Sequence, residues 1–418
     1  MIRTFRFQIR ARPALDSQLR RFAGGARWVW NQALAEQRAR HARGEKYAGH
    51  AEMCKWLTAW RNAPSTVWLA EGPTHAQQQV LRRLDEAFIR FFAKSGGFPS
   101  FKRRGAEPGI RFPDPKHLAF DAANGRIKLP KLGWVRVRLS QPVAGEVRNV
   151  TISREGARWF ASIQVQTVQT VQALGVPPSL GIDLGLAHFA AMSDGQTVAP
   201  LKALARQQCR LRKYQRSVAR KNRGSANRRK AVARLGNLHR KIARQRAHWL
   251  HELTTKLADR HPVIALEDLR VKNMSASAKG NAGQRGVNVR QKAGLNRNIL
   301  DAAWGEFRRQ LEYKLQWRGG QVILVNPAYT SRTCRICGSE SAENRKTQSV
   351  FACVACGHVE HADVHAAKNI LAAGHAVWLK ETSAEACGGE VRHAKPLKAK
   401  RAAPKKQEPT EAGGLVCA

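Results

Sequence analysis

The sequence predicts a multidomain protein of mixed α/β structure, and three observations support this prediction. The chain has 418 residues, more than the roughly 250 to 300 at which single hydrophobic cores stop growing. Its apolar residues change along the chain between the spacing of helices and the spacing of strands. Hydrophobic residues make up 43% of the chain and include eleven Trp, which is enough material for several packed cores.

The N-terminal part begins with a strand and continues as helices. Residues 3 to 10 alternate in polarity, and helical spacing then extends to about residue 95. The clearest helix lies within residues 73 to 97, with Thr74 as a candidate cap and two glycines at its end. Its predicted apolar face consists of Val80, Leu81, Leu84, Phe88 and Phe91.

An antiparallel sheet or barrel is predicted next, because the apolar period changes to two at about residue 98. Residues 135 to 139 alternate, and two further strands flank a turn at residues 154 to 157. Two alternating segments joined by a short turn predict a β-hairpin. Residues 167 to 180 have the composition of a linker.

The second half mixes strands with helices. A hairpin begins at residue 180, and residues 263 to 269 form a short apolar strand that ends in two acids. Residues 281 to 294 predict a flexible basic loop, residues 321 to 325 a strand, and everything after about 376 a disordered tail. Between loop and strand lies a predicted amphipathic helix with the apolar positions Leu300, Trp304, Phe307, Leu311 and Leu315.

The charge of the chain indicates a polyanionic partner. Lys and Arg outnumber Asp and Glu by 73 to 30, which gives a formal net charge of +43. Seventeen of the basic residues fall from Lys202 to Arg246, a stretch without any acid, and predict two basic helices joined by a loop. A solvated helix face is the alternative, but it normally carries charges of both signs. We therefore expect a nucleic-acid cradle.

Cysteine usage and the N-terminal segment point to the cytoplasm. Residues 1 to 12 carry regularly spaced charges and lack the apolar stretch of a signal peptide. No apolar run approaches the 18 residues that a membrane span requires. Four of the eight Cys are scattered along the chain, which suits a reducing compartment better than a disulfide framework. We expect a cytoplasmic, nucleoid-associated protein that does not enter a membrane.

The other four cysteines predict a structural zinc site. Two Cys-x2-Cys pairs are separated by fifteen residues, the spacing of a zinc ribbon in which each pair presents two thiolates to one ion. A redox motif is the main alternative, and His358 or His361 could replace one ligand. The predicted ligands are Cys334, Cys337, Cys353 and Cys356.

Three acids in distant segments are candidates for catalysis. Asp183 lies among apolar strand residues, Glu267 ends another apolar strand, and Asp363 precedes a short helical pattern. Each has an ordinary alternative: a hydrogen-bonded strand Asp, a helix-capping Glu, or an N-cap Asp. Together they indicate hard oxygen ligands for Mg²⁺, as two-metal nucleases use.

Several motifs resemble the TnpB family, the RNA-guided nucleases of insertion sequences and relatives of the type V CRISPR effectors. They are GIDLGL, IALEDLRVKNM, KAGLNRNILDAAWGEFRRQLEYKLQWRGG, NPAYTSRTCRICG and HADVHAAKNIL, and the likeness covers most of the chain. The resemblance implies a ribonuclease H-like (RuvC) nuclease domain with the zinc ribbon inserted before its last acid. It also implies a wedge-like β-barrel interrupted by a helical recognition lobe.

The implied domains follow the predicted elements. They are the wedge (1–14 and 97–175), the helical lobe (15–96), the nuclease domain (176–330 and 358–376, with basic helices at 201–250), the zinc ribbon (331–357) and a disordered basic tail (377–418). By the same resemblance, Asp183, Glu267 and Asp363 match the catalytic acids. One departure is His365, where the family motif usually has Asn, and it could alter the surroundings of the metal.

The expected function is therefore RNA-guided cleavage of DNA. The resemblance implies a guide RNA from the end of the mobile element and double-stranded target DNA cut beside a short flanking motif. Two Mg²⁺ ions held by the three acids would hydrolyse the phosphodiester. The alternatives are a guided DNA-binding regulator that does not cut, and a transposase that uses the same acids for strand transfer. The sequence leaves the guide, the flanking motif, the cut position and the oligomeric state open.

Overall fold

A computed structural model describes residues 2–105, 108–167, 175–280, 283, 285–345 and 347–386. The described residues divide into two compact units, one up to residue 167 and one from residue 175. The mixed α/β class predicted from the sequence is confirmed, since both units combine helices with a sheet. None of the helices that the structure describes has both the length and the apolar composition needed to cross a bilayer.

The first unit contains a seven-stranded antiparallel sheet. Its order is β2-β6-β7-β1-β5-β4-β3, so the N-terminal strand lies between two strands that follow it by more than a hundred residues. The predicted hairpin is β6 and β7, which pair along most of their length. The strands are β1 (Ile2–Ile9), β2 (Ile110–Phe112), β3 (Ala119–Asp121), β4 (Arg126–Leu129), β5 (Gly133–Arg138), β6 (Glu146–Glu155) and β7 (Arg158–Gln166).

Three long helices are inserted between β1 and β2: α1 (Pro13–Ala42), α2 (His50–Asn62) and α3 (Thr74–Phe92). The apolar face predicted for α3 is buried except at Phe91, which is 37% exposed and contacts the ring of Phe98. Phe91 lies in the last turn, beyond the core that buries the rest of the stripe. Thr74 is the first helical residue rather than the cap, which is Pro73.

The second unit is built on a mixed five-stranded sheet in the order β10-β9-β8-β11-β12. The middle strand β8 is parallel to β11 and antiparallel to β9, and β11 is parallel to β12. The central strands are buried, as their continuous apolar runs predict. The strands are β8 (Leu180–Asp183), β9 (Ala190–Met192), β10 (Thr197–Val198), β11 (Val263–Glu267) and β12 (Gln321–Val325).

Six helices follow β10 in sequence before β12: α4 (Ala203–Arg206), α5 (Gln208–Ala219), α6 (Ala226–Arg260), α7 (Val271–Met274), α8 (Val289–Ala302) and α9 (Trp304–Gln316). The predicted amphipathic helix is confirmed as α9, which buries Trp304, Phe307, Leu311 and Leu315. Its predicted start at Leu300 is wrong, because Ala303 adopts a left-handed conformation with φ 57° and separates α8 from α9. Leu300 is 57% exposed as a result. The predicted flexible loop also ends early, since α8 begins at Val289.

A small two-stranded sheet, β13 (Val350–Ala352) and β14 (Val359–His361), leads directly into α10 (Ala362–Ala386). The predicted disordered tail therefore begins too early: the segment 377–386 is helical. Its Ala, Leu, Lys and Glu residues favour helix, and no Pro or Gly interrupts them. Residues 387–418, and residues 168–174 of the linker predicted at 167–180, lie outside the described residues.

Helix α10 packs directly on the central strands because the contact positions are small. A Cβ atom added to Gly181 in β8 would lie 2.2 Å from the carbonyl oxygen of Ala367 in α10. A Cβ at Gly374 would lie 2.6 Å from the Cβ of Ala265 in β11. These distances leave no space for a larger side chain. The register of α10 against the sheet is thereby fixed.

We predict that Gly181→Ala lowers the free energy of unfolding of the second unit by about 3 kcal/mol or more, because the added methyl group overlaps backbone. Gly294→Ala is the matched control, since nothing lies within 4 Å of a Cβ at this position in α8. The control should be neutral or stabilise by about 1 kcal/mol. Urea unfolding curves of the two variants measure the difference, and equal midpoints would contradict the proposed close packing.

Candidate functional site

Two of the three predicted catalytic acids end neighbouring parallel strands. Asp183 is the last residue of β8, and Glu267 is the last residue of β11. The register aligns Ile182 with Leu266, so the two acids follow at the same edge of the sheet. Carboxyl ends of parallel strands are where α/β folds place their sites. Asp363 is the second residue of α10 and reaches this edge because the helix packs on both strands.

The three carboxylates influence one another electrostatically. Burial, together with the negative charges of Glu267 and Asp363, raises the pKa of Asp183 to about 7, against the opposing effect of Arg345. Burial also raises the pKa of Glu267, although its hydrogen bond from Thr330 lowers it. The structure therefore brings together all three acids that the sequence singled out. Without a cation, Asp183 binds a proton near neutral pH.

Arg345 is a member of this site that the sequence analysis missed. Its guanidinium donates a 2.8 Å hydrogen bond to Oδ1 of Asp363, and both side chains are largely buried. It lies in a short 3-10 segment, Ala342–Arg345, within the loop between the two cysteine pairs. One arginine among 73 basic residues carries no distinguishing sequence signal. Only the fold reveals that this loop folds back onto the acids.

The donor set suits a divalent metal. Carboxylate oxygens are the ligands that Mg²⁺ prefers, and a cation would relieve the repulsion that raises the pKa of Asp183. Thr330 holds Glu267 in place, since its hydroxyl donates a 2.6 Å hydrogen bond to Oε1. Arg345 supplies one positive charge to an otherwise anionic cluster. These residues fit a site that binds Mg²⁺.

The four predicted zinc ligands lie together. All four sulfurs are within 4.8 Å of one another, with Cys334 and Cys356 3.7 Å apart and Cys337 and Cys353 3.6 Å apart. Sulfurs bound tetrahedrally to one zinc at about 2.3 Å would be about 3.8 Å apart. This donor set fits a closed structural zinc site.

The two cysteine pairs form matched knuckles. In each, the first Cys accepts a backbone hydrogen bond from a glycine with φ 72°, Gly338 or Gly357. The first Cys of each pair also donates its own N–H to a carbonyl further along the loop. Neither pair lies at a helix N-terminus, which a redox motif would favour. The alternative ligands His358 and His361 do not belong to this group of four cysteines.

His365, the departure from the family motif, belongs to the core of the ribbon. Its side chain is fully buried and stacks on Phe351 at 3.7 Å between ring centroids. Its Nε2 lies 3.0 Å from the carbonyl oxygen of Thr333, and its Nδ1 lies 3.2 Å from Glu360. Asn369 donates hydrogen bonds to the carbonyls of Thr330 and Thr333. The ribbon and the first turns of α10, including Asp363, are thus held together.

The predicted basic helices are α5 and α6, and α6 extends to 35 residues. They pack through a small apolar cluster around Leu238 and Ile242, which leaves the basic side chains largely exposed. Among the described residues, Arg246 is the one cation of this stretch with a carboxylate partner, Asp301 at 3.4 Å. Three basic residues of α5 and two that follow its end surround an open groove: Arg212, Lys213, Arg216, Arg220 and Lys221.

Comparison with known proteins decides the family. The chain is 44% identical over 410 residues to "Putative RNA-guided DNA endonuclease InsQ" of Escherichia coli (strain K12), covering 98% of both chains. It is 33% identical to "Putative RNA-guided DNA endonuclease" of Streptomyces pristinaespiralis, covering 98% of this chain and 97% of that protein. The chain belongs to the TnpB family. The resemblance predicted from its motifs is confirmed.

Family models match the same regions. They are described as "Probable transposase" (residues 163–278), "Cas12f1-like, TNB domain" (residues 304–370) and "Helix-turn-helix domain" (residues 1–46). The fold also resembles a chain in "Cryo-EM structure of the Cas12f1-sgRNA-target DNA complex", with TM-score 0.54 and 15% identity, covering 86% of this chain and 83% of that chain. In this TnpB-family chain, the match over residues 163–278 contains Asp183 and Glu267. The match over residues 304–370 contains Asp363 and the four cysteines.

We predict that Cys334→Ser abolishes zinc binding and lowers the free energy of unfolding by about 3 kcal/mol or more, because a structural metal contributes folding energy directly. The exposed Cys209, on α5, provides the control Cys209→Ser. Metal content by mass spectrometry and thermal unfolding are the measurements. Cys334→Ser should hold one zinc fewer per chain than the control; equal zinc content in the two variants would contradict the four-thiolate site.

Proposed function

We propose that this protein is an RNA-guided DNA endonuclease encoded by an insertion sequence. The single observation that carries the proposal is the convergence of Asp183, Glu267 and Asp363 at one edge of a buried sheet, in a unit that also presents an extended basic surface. The printed names of the two relatives, each alignable over nearly the whole chain, support the same activity. The acids supply hydrolytic chemistry, and the basic helices supply affinity for nucleic acid.

The domains follow from this assignment. Residues 176–330 and 358–376 would form a ribonuclease H-like (RuvC) nuclease domain, and the ribbon at 331–357 would be an insertion before its last acid. The order β10-β9-β8-β11-β12, with three antiparallel-linked strands followed by parallel ones, supports this proposal. Residues 1–14 and 97–175 would form the wedge. The pairing of β1 with β5 and β7 supports a barrel-like sheet interrupted by a helical lobe at 15–96.

Asp183, Glu267 and Asp363 would hold catalytic Mg²⁺, two ions in our proposal. Such ions would supply activation of the attacking water and stabilisation of the leaving oxygen and of the phosphodiester charge. Thr330 keeps the Glu267 carboxylate oriented toward the cluster. Arg345 has further N–H donors beyond the one that pairs with Asp363, and these suit a phosphate oxygen brought against the acids. Four cysteines would hold a structural zinc that positions Arg345 and Asp363.

Sequence selection would come from base pairing rather than from side chains. A guide RNA from the end of the mobile element would pair with one strand of the target DNA, and the protein would bind the heteroduplex through its backbone and shape. The uncompensated cations of α5 and α6 suit such contacts, because two basic helices repel each other unless phosphates lie between them. The protein would itself read a short flanking motif in the duplex. Such an enzyme acts in the cytoplasm, at the nucleoid.

We predict that Asp183→Ala reduces cleavage of a guide-matched plasmid by more than about 100-fold. Loss of a residue that only hydrogen-bonds a metal ligand costs about 10- to 100-fold, and loss of a ligand itself should cost more. Binding of RNA and target DNA should remain nearly unchanged. Asp194→Ala, in the exposed turn before β10, is the control and should cleave normally. Gel electrophoresis of the plasmid and filter binding separate the two effects. Full cleavage by Asp183→Ala in Mg²⁺ would refute the catalytic assignment, and a wild-type complex that binds but never cuts would indicate a regulator.

The family description "Probable transposase", matched over residues 163–278, favours a metal-acid transposase as the second candidate. The two functions differ in their need for RNA. We expect a defined RNA to copurify with the protein, and we expect cleavage to stop when this RNA is removed. Strand joining by the RNA-free protein would instead support the transposase.

A further inference from the structure

A second cluster of ligand-type side chains adjoins the acids. His188, His361 and Asp363 each offer one ligand atom, and these three atoms lie within 4.8 Å of one another. The two imidazole rings are 6.0 Å apart between centroids and are nearly perpendicular. Asp363 belongs to both clusters. The two histidines have no part in the magnesium site proposed above. Two imidazoles and one carboxylate differ chemically from an all-oxygen donor set.

The main chain holds both histidines firmly. His188 lies in the turn between β8 and β9, which is closed by a hydrogen bond from Gly185 N–H to the carbonyl of Phe189. Phe189 is buried and packs edge-on against Trp249 and Phe307. On the other side, His361 ends β14 and pairs with Val350.

The residue that follows His361 fixes it further. Ala362 is buried and donates its N–H to the carbonyl of Ser349 at 2.9 Å. Asp363 comes next and begins the ordered first turn of α10. His361 is exposed and His188 is partly exposed, so a dissolved ion can reach both rings. The three ligands therefore lie on elements that need little rearrangement to bind a metal ion.

The ring nitrogens of this cluster are available. Within the ranges that the structure describes, no hydrogen bond engages the imidazole of His188 or of His361. Asp363 uses one oxygen for Arg345, and an ionised carboxylate retains further lone pairs for a metal.

The other His-containing cluster in the described chain, His358, Glu360 and His365, is different. Both nitrogens of His365 already face acceptors, the Glu360 carboxylate and the carbonyl of Thr333. Lys368 is also hydrogen-bonded to Glu360. A metal there would have to displace an ammonium group and break contacts of a buried ring. The cluster at Asp363 requires neither change, and it is the one that carries the inference.

We propose that His188, His361 and Asp363 form a binding site for a divalent transition-metal ion such as Zn²⁺ or Co²⁺. Imidazole nitrogen suits these ions far better than it suits Mg²⁺, which prefers oxygen. Three protein ligands leave coordination positions open for water or for a phosphate oxygen. Because Asp363 is shared, an ion in this site competes with Mg²⁺ for one of the three acids. Transition metals would thus control the occupancy of the proposed catalytic centre.

Cobalt titration of the full-length protein, purified with zinc in the ribbon, tests the site without reference to cleavage. Co²⁺ bound by nitrogen ligands at low coordination number absorbs visible light strongly, whereas hydrated Co²⁺ on copurified RNA absorbs weakly. We expect one absorbing Co²⁺ per chain in addition to the ribbon zinc. His188→Gln and His361→Gln should each weaken this binding by about 100-fold or more. Loss of a residue that only hydrogen-bonds a metal ligand already weakens binding by about 10- to 100-fold.

His239→Gln, at an exposed position of α6, is the matched control and should bind Co²⁺ as the unchanged protein does. The zinc held by the four cysteines and the thermal unfolding should be the same in all three variants, which shows that the fold is intact. The proposal is overturned if the unchanged protein gives no absorbing Co²⁺ beyond the ribbon. It is equally overturned if the signal survives both cluster substitutions, or if only His358→Gln removes it. These outcomes are independent of whether the protein cuts DNA.

Discussion

The close contact between α10 and strands β8 and β11 is the constraint on which the site depends. Gly181 and Ala265 give this part of the sheet a flat surface, and Gly374 removes the side chain from the facing helix. The backbone of α10 therefore lies almost in contact with the backbone of β8. This packing carries Asp363, at the start of the helix, to the edge where Asp183 and Glu267 end their strands. Larger residues at these positions would move the third acid away from the other two.

Bringing three carboxylates to one partly buried edge has an electrostatic cost. The raised pKa of Asp183, which follows from burial and from its two acidic neighbours, is the direct sign of that cost. The protein offsets part of it with Arg345 and with the hydroxyl of Thr330, both contributed by the segment that leads into or forms the ribbon. The remaining repulsion makes the cluster receptive to cations. The cation-binding edge therefore depends on the ribbon, because the ribbon positions Arg345 and is hydrogen-bonded to the first turns of α10.

Much of this organisation follows from patterns in the sequence, since periodicity and spacing are local properties. The buried strand that carries Asp183, the one that ends in Glu267, the paired cysteine knuckles and the basic helices were all predicted, although β8 ends at Asp183 rather than continuing past it. The errors arise where tertiary structure decides. The left-handed conformation of Ala303 divides a helix that looks continuous in sequence.

Other features depend on contacts between segments far apart in the chain. Arg345 becomes part of the site because a loop folds back, and no property of that arginine in the sequence distinguishes it. His365 departs from the family motif, and the fold places it inside the ribbon core against Phe351. His188 was not singled out at all, because its approach to His361 requires the turn after β8 to meet the end of β14. Single-sequence patterns contain no signal for such encounters.

Anomalous diffraction from crystals of the full-length protein grown with Mn²⁺ in place of Mg²⁺ tests the central claim most directly. The account predicts anomalous density coordinated by the carboxylates of Asp183, Glu267 and Asp363, with the Cys ligands occupied by zinc. Density at the cysteines alone, with the three carboxylates free of metal at saturating Mn²⁺, would contradict it.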